Sequence, residues 1–197
     1  MKLNRTSEIK RRTAETDITL TLQVDGTGVS TIATGVGFFD HMLTLFAKHA
    51  GVDMTLEAKG DLEVDAHHTV EDVGICLGQA LRESLGEKRG IRRYGHFTLP
   101  MDETLVEATV DFGGRPYFVF NVEFAAPKIG EFDAELVREF WCAVAMNAGC
   151  NLHVNMRYGT NGHHIAEAVF KSTARAMKMA FAKDGASDDI PSTKGVI

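Results

Sequence analysis

The sequence His-His-x-x-Glu occurs twice in this chain of 197 residues, at positions 67–71 and 163–167. The two copies are 96 residues apart, and an offset of 98 places His49-Ala50-Gly51 on Asn147-Ala148-Gly149. Helix and strand patterns recur by chance, but a doubled polar motif with matched flanks indicates that one α/β unit has been duplicated. Duplication restricts the chain to folds that contain two similar halves.

The spacing of apolar residues predicts the same order of elements, β-β-α-β-α, in both halves. In the first half we predict an arm or edge segment at 1–14, strands at 17–24, 29–36 and 52–58, a tight hairpin turn at 25–28, an extended segment at 62–66, and helices at 38–49 and 68–85. In the second half we predict strands at 92–99, 104–112, 117–124 and 150–156, helices at 133–148 and 163–181, and an irregular tail at 191–195. The chain is predicted to be a single catalytic domain, 1–197, whose pseudo-repeats cover about 1–90 and 91–197.

Composition and charge exclude several classes of function. The net charge is −6 at pH 7, whereas a nucleic-acid-binding protein usually has a basic face, so no nucleic-acid partner is predicted. The three cysteines form no closely spaced pair, which favours buried reduced thiols over disulfides. No signal core or run of membrane-spanning length is present, so we predict a cytoplasmic protein without a membrane partner.

The doubled motif has the chemistry of a two-ion metal site. On a helix, Glu71 shares a face with residues three or four positions earlier, so it can bind one ion together with His67 or His68. The adjacent histidines point about 100° apart. We therefore predict that each motif gives one histidine and its glutamate to one ion and the other histidine to a second ion. The repeat aligns His41 with Glu139, and each lies on the helix before its motif. These two residues would complete the ligand sets of the two ions.

The predicted metal ligands are imidazoles and carboxylates, a set that suits Mn²⁺, Fe²⁺, Zn²⁺, Co²⁺ or Ni²⁺. They are His41, His67, His68, Glu71, Glu139, His163, His164 and Glu167.

Other polar residues have two interpretations each. Glu15, whose counterpart is Glu103, is either an acid or base or a solvated strand-edge carboxylate. His49 either binds a ligand or offsets the dipole at a helix end. A further group of residues lies beside glycine turns, on the helix of the second motif and in the tail. Taken together, they form a usual phosphate-binding set. Taken singly, each is interpreted as a surface charge. They are Arg93, Arg115, Lys171, Ser192 and Lys194. His96 and His153 are interpreted as structural.

Six stretches that cover nearly the whole chain resemble the imidazoleglycerol-phosphate dehydratase family of histidine biosynthesis. They are GFFDHML at 37–43, DAHHTVED at 65–72, KRGIRRYG at 88–95, PMDE at 100–103, NGHHIAEA with the following Phe170-Lys171 at 161–171, and PSTKG at 191–195.

The resemblance implies an α+β fold in which each half is a four-stranded sheet with helices on one face. It implies dehydration of D-erythro-imidazoleglycerol phosphate to imidazole acetol phosphate, two Mn²⁺ per active site, and a 24-mer built from trimers with active sites at subunit interfaces. Some relatives have histidine at the position of Glu139, and a carboxylate can also bind Mn²⁺. The implied catalytic residues are Glu15, Glu71, His67 and His163. The implied substrate-binding residues are Glu15, His49, Arg93, Arg115, Lys171, Ser192, Thr193 and Lys194.

Two other functions fit the same metal ligands. A dinuclear metallohydrolase would release phosphate from simple esters, using the two ions and the nearby basic residues. A metal-assembled structural or storage oligomer would dissociate on chelation and bind no imidazole. The Arg and Lys positions beside glycine turns favour an enzyme, because storage does not need them.

Overall fold

The structure is a computed structural model that describes residues 5–185 and 188–197. Residues 1–4, part of the predicted segment 1–14, and residues 186–187 lie outside the described residues. The first half contains β1 (Thr6–Arg12), β2 (Thr16–Gln23), β3 (Ser30–Ala33), α1 (Gly37–Ala50), β4 (Asp53–Gly60) and α2 (His67–Leu85). The second half contains β5 (Tyr94–Met101), β6 (Thr104–Asp111), β7 (Tyr117–Asn121), the short strands β8 (Lys128–Ile129) and β9 (Phe132–Asp133), α3 (Leu136–Ala148), β10 (Asn151–Tyr158) and α4 (Gly162–Phe181).

Each half forms a four-stranded sheet, and the two sheets have equivalent strand orders, β1-β2-β4-β3 and β5-β6-β10-β7. In both sheets the first three strands in this order are antiparallel, and the last strand runs parallel to its neighbour. The helices pack on each other across the halves, α1 against α4 and α2 against α3. Buried and exposed residues alternate along β2, as expected for a sheet covered on one face. The predicted α+β duplication is confirmed.

The predicted hairpin at residues 17–36 is wrong. β3 does not return beside β2 but pairs in parallel with β4, which lies between them. The cause is Asp53 at the start of β4, whose Oδ1 accepts the backbone N–H groups of Thr27, Gly28 and Val29 at 2.8, 3.0 and 2.9 Å. This carboxylate holds the connection against β4. A Cβ on Gly26 would lie 2.3 Å from the Asp53 nitrogen, so the loop fits only with glycine there.

Two smaller predictions are also wrong. Residues 62–66 form a turn rather than an extended segment, with the Val64 N–H donating to the Asp61 carbonyl at 2.8 Å. The apolar side chains of Leu62 and Val64 in this turn are exposed. The start of the predicted helix 133–148 is instead occupied by the end of the β8–β9 hairpin, and α3 begins at Leu136.

The core between the halves is built from aromatic side chains of α1, α3 and α4. Phe46 meets Trp141 with ring centroids 5.8 Å apart, and Phe140 stacks on Phe170 at 5.3 Å. All four rings are buried, and burial of each such side chain stabilises the fold by about 1.5–3 kcal/mol. This core holds the helix that bears His41 against the helix that bears the second motif.

A close approach between β5 and α4 in the second half supplies a test of this packing. A Cβ on Gly95 would lie 2.0 Å from the carbonyl oxygen of Ala176 in α4. At the equivalent position of the first half, the Ser7 hydroxyl donates to the Ala80 carbonyl at 2.9 Å.

We expect Gly95→Ala to lower the free energy of unfolding by about 3 kcal/mol, because the methyl group meets backbone that cannot move aside alone. Ser7→Ala is the matched control and should cost about 1–2 kcal/mol, because the Ser7 hydroxyl donates to the Ala80 carbonyl and accepts from the Ser84 hydroxyl at 2.8 Å, so that two hydrogen bonds are lost. Urea unfolding followed by circular dichroism measures both, and equal effects would contradict the prediction.

Candidate functional site

One helix from each half contributes to a compact group of metal-competent side chains, His41, His163 and Glu167, which we call the metal cluster. Its potential ligand atoms all lie within 4.8 Å of one another, and it is the only such group of three within residues 5–185 and 188–197. Glu167 Oε1 lies 3.0 Å from His41 Nε2 and 3.1 Å from His163 Nε2. His163 and Glu167 share a face of α4 because they are one turn apart, and α1 brings His41 to that face.

The metal cluster is a negatively charged oxygen facing two imidazoles. Glu167 is only 7% exposed. Burial opposes its ionisation, but Lys171, His41 and His163 outweigh this effect and hold the pKa of Glu167 at about 2. The Lys171 ammonium donates to the second carboxylate oxygen, Oε2.

The separations within the metal cluster suit a divalent ion. Two ligands about 2.1 Å from an octahedral ion and at right angles to each other are about 3.0 Å apart. The distances from Glu167 Oε1 to the two imidazole nitrogens, 3.0 and 3.1 Å, are close to this value. Two imidazole nitrogens and a carboxylate oxygen are also a donor set that transition-metal ions bind.

The second histidine of each motif points to a different carboxylate. His68 Nδ1 lies 3.0 Å from Asp61, and His164 Nδ1 lies 2.8 Å from Glu103. These hydrogen bonds raise the pKa of both histidines. Neither histidine is part of the metal cluster. That the two adjacent histidines of each motif bind different ions stays a prediction.

The remaining predicted ligands are not gathered within one chain. His67 Nε2 lies 4.0 Å from Glu71 Oε2, and both side chains are nearly half exposed. Glu139 accepts a hydrogen bond from Arg138 at 2.8 Å. Burial raises the pKa of the Cys142 thiol, the charge of Arg138 opposes that shift, and the charges of Glu139 and Glu71 add to it. That these residues bind a metal ion stays a prediction.

The predicted acid or base, Glu15, lies in the turn between β1 and β2. Its side chain is 53% exposed, and its Oε1 is 3.7 Å from His68 Nε2. His49 is half-buried near the end of α1. Burial, followed by the charges of Lys171 and Arg175, lowers the pKa of His49 and so favours its neutral form.

Five of the predicted substrate-binding residues line one cavity of about 540 Å³ near the carboxyl-terminal tail. We call this group the anion cluster, and it comprises Arg93, Arg115, Ser192, Thr193 and Lys194. Arg93 donates to both oxygens of Asp111, at 2.7 and 3.1 Å, and to the Pro191 carbonyl at 2.9 Å. This arginine therefore fixes the tail over the cavity. Lys171 instead contacts the metal cluster.

Comparison with known proteins identifies the family. The family described as "Imidazoleglycerol-phosphate dehydratase" matches residues 34–177 of this chain. The chain belongs to the imidazoleglycerol-phosphate dehydratase family.

Relatives of the same name match the chain over nearly its whole length. The protein of Rhodopirellula baltica is 58% identical over 194 residues, 98% of this chain and 96% of its own. That of Acetivibrio thermocellus is 56% identical over 195 residues, 99% and 100% of the two chains.

Solved structures of this dehydratase family share the fold. The enzyme of Staphylococcus aureus subsp. aureus N315 is 42% identical with a TM-score of 0.83, covering 90% of this chain and 99% of its own. The enzyme of Pyrococcus furiosus, solved in complex with (S)-C348, is 38% identical with a TM-score of 0.84, covering 96% and 100%.

Membership of the imidazoleglycerol-phosphate dehydratase family makes the protein a carbon–oxygen hydro-lyase and decides against the metallohydrolase and storage interpretations. None of its described helices has the length and apolar character needed to cross a bilayer. Sequence reasoning missed Asp61 and Asp111 as partners of site residues. The sequence marked Glu103 only as the counterpart of Glu15 and as the last residue of the PMDE stretch at 100–103.

Proposed function

We propose that the protein removes water from D-erythro-imidazoleglycerol phosphate to give imidazole acetol phosphate, a step of histidine biosynthesis, with two Mn²⁺ in each active site. The observation that carries this proposal is the metal cluster, where a buried carboxylate and two imidazoles from different halves converge. The family relationship supports the substrate, and the anion cluster offers the cationic groups that a phosphate requires.

The residues that would hold the first ion are His41, His163 and Glu167. Those that would serve the second are His67, Glu71 and Glu139, with His68 and His164 each completing a shell. Bound Mn²⁺ would act as a Lewis acid toward the substrate imidazole and as a template for its orientation.

Two carboxylates are the proposed proton-transfer groups. The substrate must lose the hydroxyl on the carbon attached to the imidazole and a proton from the neighbouring carbon, and the resulting enol becomes the ketone. Glu15 is half exposed beside His68, so it can reach a bound substrate and move a proton at Oε1. Glu71, also half exposed and one turn after His67 in α2, is the second candidate.

The anion cluster is the proposed site for the substrate phosphate. Arg93 is held by Asp111, whereas Arg115 is exposed and can turn toward a ligand. Ser192 and Lys194 supply a hydroxyl and an ammonium from the same short turn, with Thr193 between them. His49 and Lys171 would contact the substrate from the side of the metal cluster.

We further propose a 24-mer built from trimers, with active sites at subunit interfaces. The partly exposed His67, Glu71 and His163 are accessible to a neighbouring copy of the chain. A neighbouring subunit could therefore place one of its motifs beside a motif of this chain, so that one active site contains motifs from two subunits.

An assay with imidazoleglycerol phosphate, with and without Mn²⁺, tests the proposal when ketone and inorganic phosphate are measured separately. We expect ketone without phosphate, and more ketone with Mn²⁺. Absence of ketone from the Mn²⁺-loaded protein would refute the proposed reaction.

Replacement of Arg115 tests the phosphate site. We expect Arg115→Ala to raise KM roughly 10- to 100-fold, because a charged hydrogen bond is worth about 1.5–3 kcal/mol. Because the Arg115 side chain is exposed, the substitution should have little effect on folding. Arg157→Ala, which removes an exposed arginine paired with Glu107, is the matched control and should leave KM unchanged. An unchanged KM in Arg115→Ala would exclude a role for Arg115 in binding.

A further inference from the structure

The second histidine of each motif, His68 or His164, has the same kind of environment in both halves. His68 Nδ1 lies 3.1 and 3.0 Å from the two oxygens of Asp61. His164 Nδ1 lies 2.8 Å from Glu103 Oε2. The opposite nitrogen of each ring, Nε2, is 3.7 Å from the nearest paired carboxylate, a separation longer than a hydrogen bond.

We propose that Asp61 and Glu103 are positioning residues, which fix the ring orientation and tautomer of His68 and His164 so that each Nε2 is available to a metal ion. The inference rests on the proposed function, because it takes both histidines as metal ligands. An ionised carboxylate can only accept a hydrogen bond, so the proton of a neutral ring must be on Nδ1 and the lone pair on Nε2. Carboxylates that hold ligating histidines in this way orient the ligand and strengthen binding.

The two carboxylates come from positions that the duplication does not relate. Glu103 is equivalent to Glu15, 88 residues earlier, because β5–β6 repeats β1–β2. Asp61 lies in the turn after β4, and the aligned position of the second half, 98 residues later, is Gly159. The same hydrogen bond is thus made by different parts of the two halves. Inheritance from one ancestral unit does not explain this, whereas a shared need to orient the histidine does.

Glu103 is held rigidly by its other oxygen. Oε1 accepts the backbone N–H groups of Asn161 at 2.8 Å and Thr160 at 3.2 Å, and the hydroxyl of Thr104 at 3.0 Å. Asn161 in turn caps α4, since its side chain accepts the N–H groups of His163 and His164. The carboxylate and the helix that bears the second motif therefore form one connected network.

This difference in anchoring predicts different effects of removing the two charges. In Glu103→Gln, the three donors require the amide oxygen, so the NH₂ group must face His164 Nδ1. The His164 ring must then accept a hydrogen bond at Nδ1 and carry its proton on Nε2, which removes the lone pair that a metal ion would bind.

The carboxylate of Asp61 is less constrained. In the described part of the chain, it forms hydrogen bonds only with His68. The amide of Asp61→Asn can therefore rotate its oxygen toward Nδ1 and keep the original tautomer.

The experiment is a titration of the metal-free, fully assembled protein with Mn²⁺, in which the free ion is counted by its electron paramagnetic resonance signal. Wild type should bind two ions per chain. We expect Glu103→Gln and Asp61→Ala to weaken one of them by about 10- to 100-fold, and Asp61→Asn to weaken binding less. Glu87→Gln, which removes an exposed carboxylate paired with Arg89, is the matched control and should titrate as wild type.

A second measurement separates positioning from simple loss of structure. Solid-state NMR of ¹⁵N-histidine in the metal-free protein, at an alkaline pH where the rings are neutral, should show one ring changing from the Nδ1–H to the Nε2–H form in Glu103→Gln, and none in Asp61→Asn. Thermal unfolding of each metal-free variant reports any effect on stability.

The outcomes distinguish the inference from the function on which it rests. If wild type binds no Mn²⁺, the proposed metal dependence fails. If wild type binds two ions and Glu103→Gln binds them equally well, or only melts at a lower temperature with its tautomers unchanged, the positioning role is wrong and the proposed reaction stands.

Discussion

Glu167→Gln should remove one Mn²⁺ per chain and lower kcat by at least about 1,000-fold. The carboxylate provides the one oxygen in the metal cluster and also compensates the ammonium of Lys171. Glutamine has nearly the same shape but no charge, so the histidines are left facing a neutral group. A Lewis-acidic ion contributes several kcal/mol to transition-state stabilisation, and each 1.36 kcal/mol corresponds to a factor of ten in rate.

Metal content after gel filtration and steady-state kinetics with saturating Mn²⁺ measure this effect. Circular dichroism verifies that the variant is folded. Glu83→Gln, which changes an exposed glutamate on α2, is the matched control and should retain both ions and full activity. Full Mn²⁺ content and wild-type kcat in Glu167→Gln would show that the metal cluster is not a metal site.

Glu15→Gln should lower kcat by about 100- to 10,000-fold while leaving Mn²⁺ content unchanged, because general acid–base catalysis contributes a factor of that size. The half-exposed side chain makes no hydrogen bond to His68 at 3.7 Å, so its loss should not disturb the fold. The measurement is kcat at saturating substrate, together with metal analysis. Glu63→Gln, an exposed glutamate in the turn after β4, is the control. Retention of full kcat in Glu15→Gln would rule out Glu15 as the acid or base.

Local patterns predicted the helices and most strands well. The motif helices begin at His67 and Gly162, within one residue of the predicted starts, because their apolar spacing and terminal glycine or polar caps are local signals. The pairing of β3 was not predictable in this way. It depends on Asp53, which meets the loop at Thr27–Val29 only after the chain has passed through α1.

The metal cluster was predicted as a set of residue types but not as a grouping. The repeat marked His41 as a ligand without indicating which motif it would join. In the structure it joins the second motif, because the aromatic core, in which Trp141 contacts both Phe46 of α1 and Phe170 of α4, holds α1 on α4. The anion cluster was likewise predicted as residue types and not as a grouping. Its arginines are nearly 80 to 100 residues from the tail in the sequence. The hydrogen bond from Arg93 to the Pro191 carbonyl brings the two parts together.

The sequence by itself determined that the chain is duplicated, that each copy contains a helix with two histidines and a glutamate, and that adjacent histidines must serve different partners. These conclusions depend on helix geometry, which acts over a few residues. Only the tertiary structure decided that His41 joins His163 and Glu167, and that Asp61 and Glu103 accept hydrogen bonds from His68 and His164. Such contacts are set by packing between halves and by loops, where burial and hydrogen bonding depend on residues far apart in the chain.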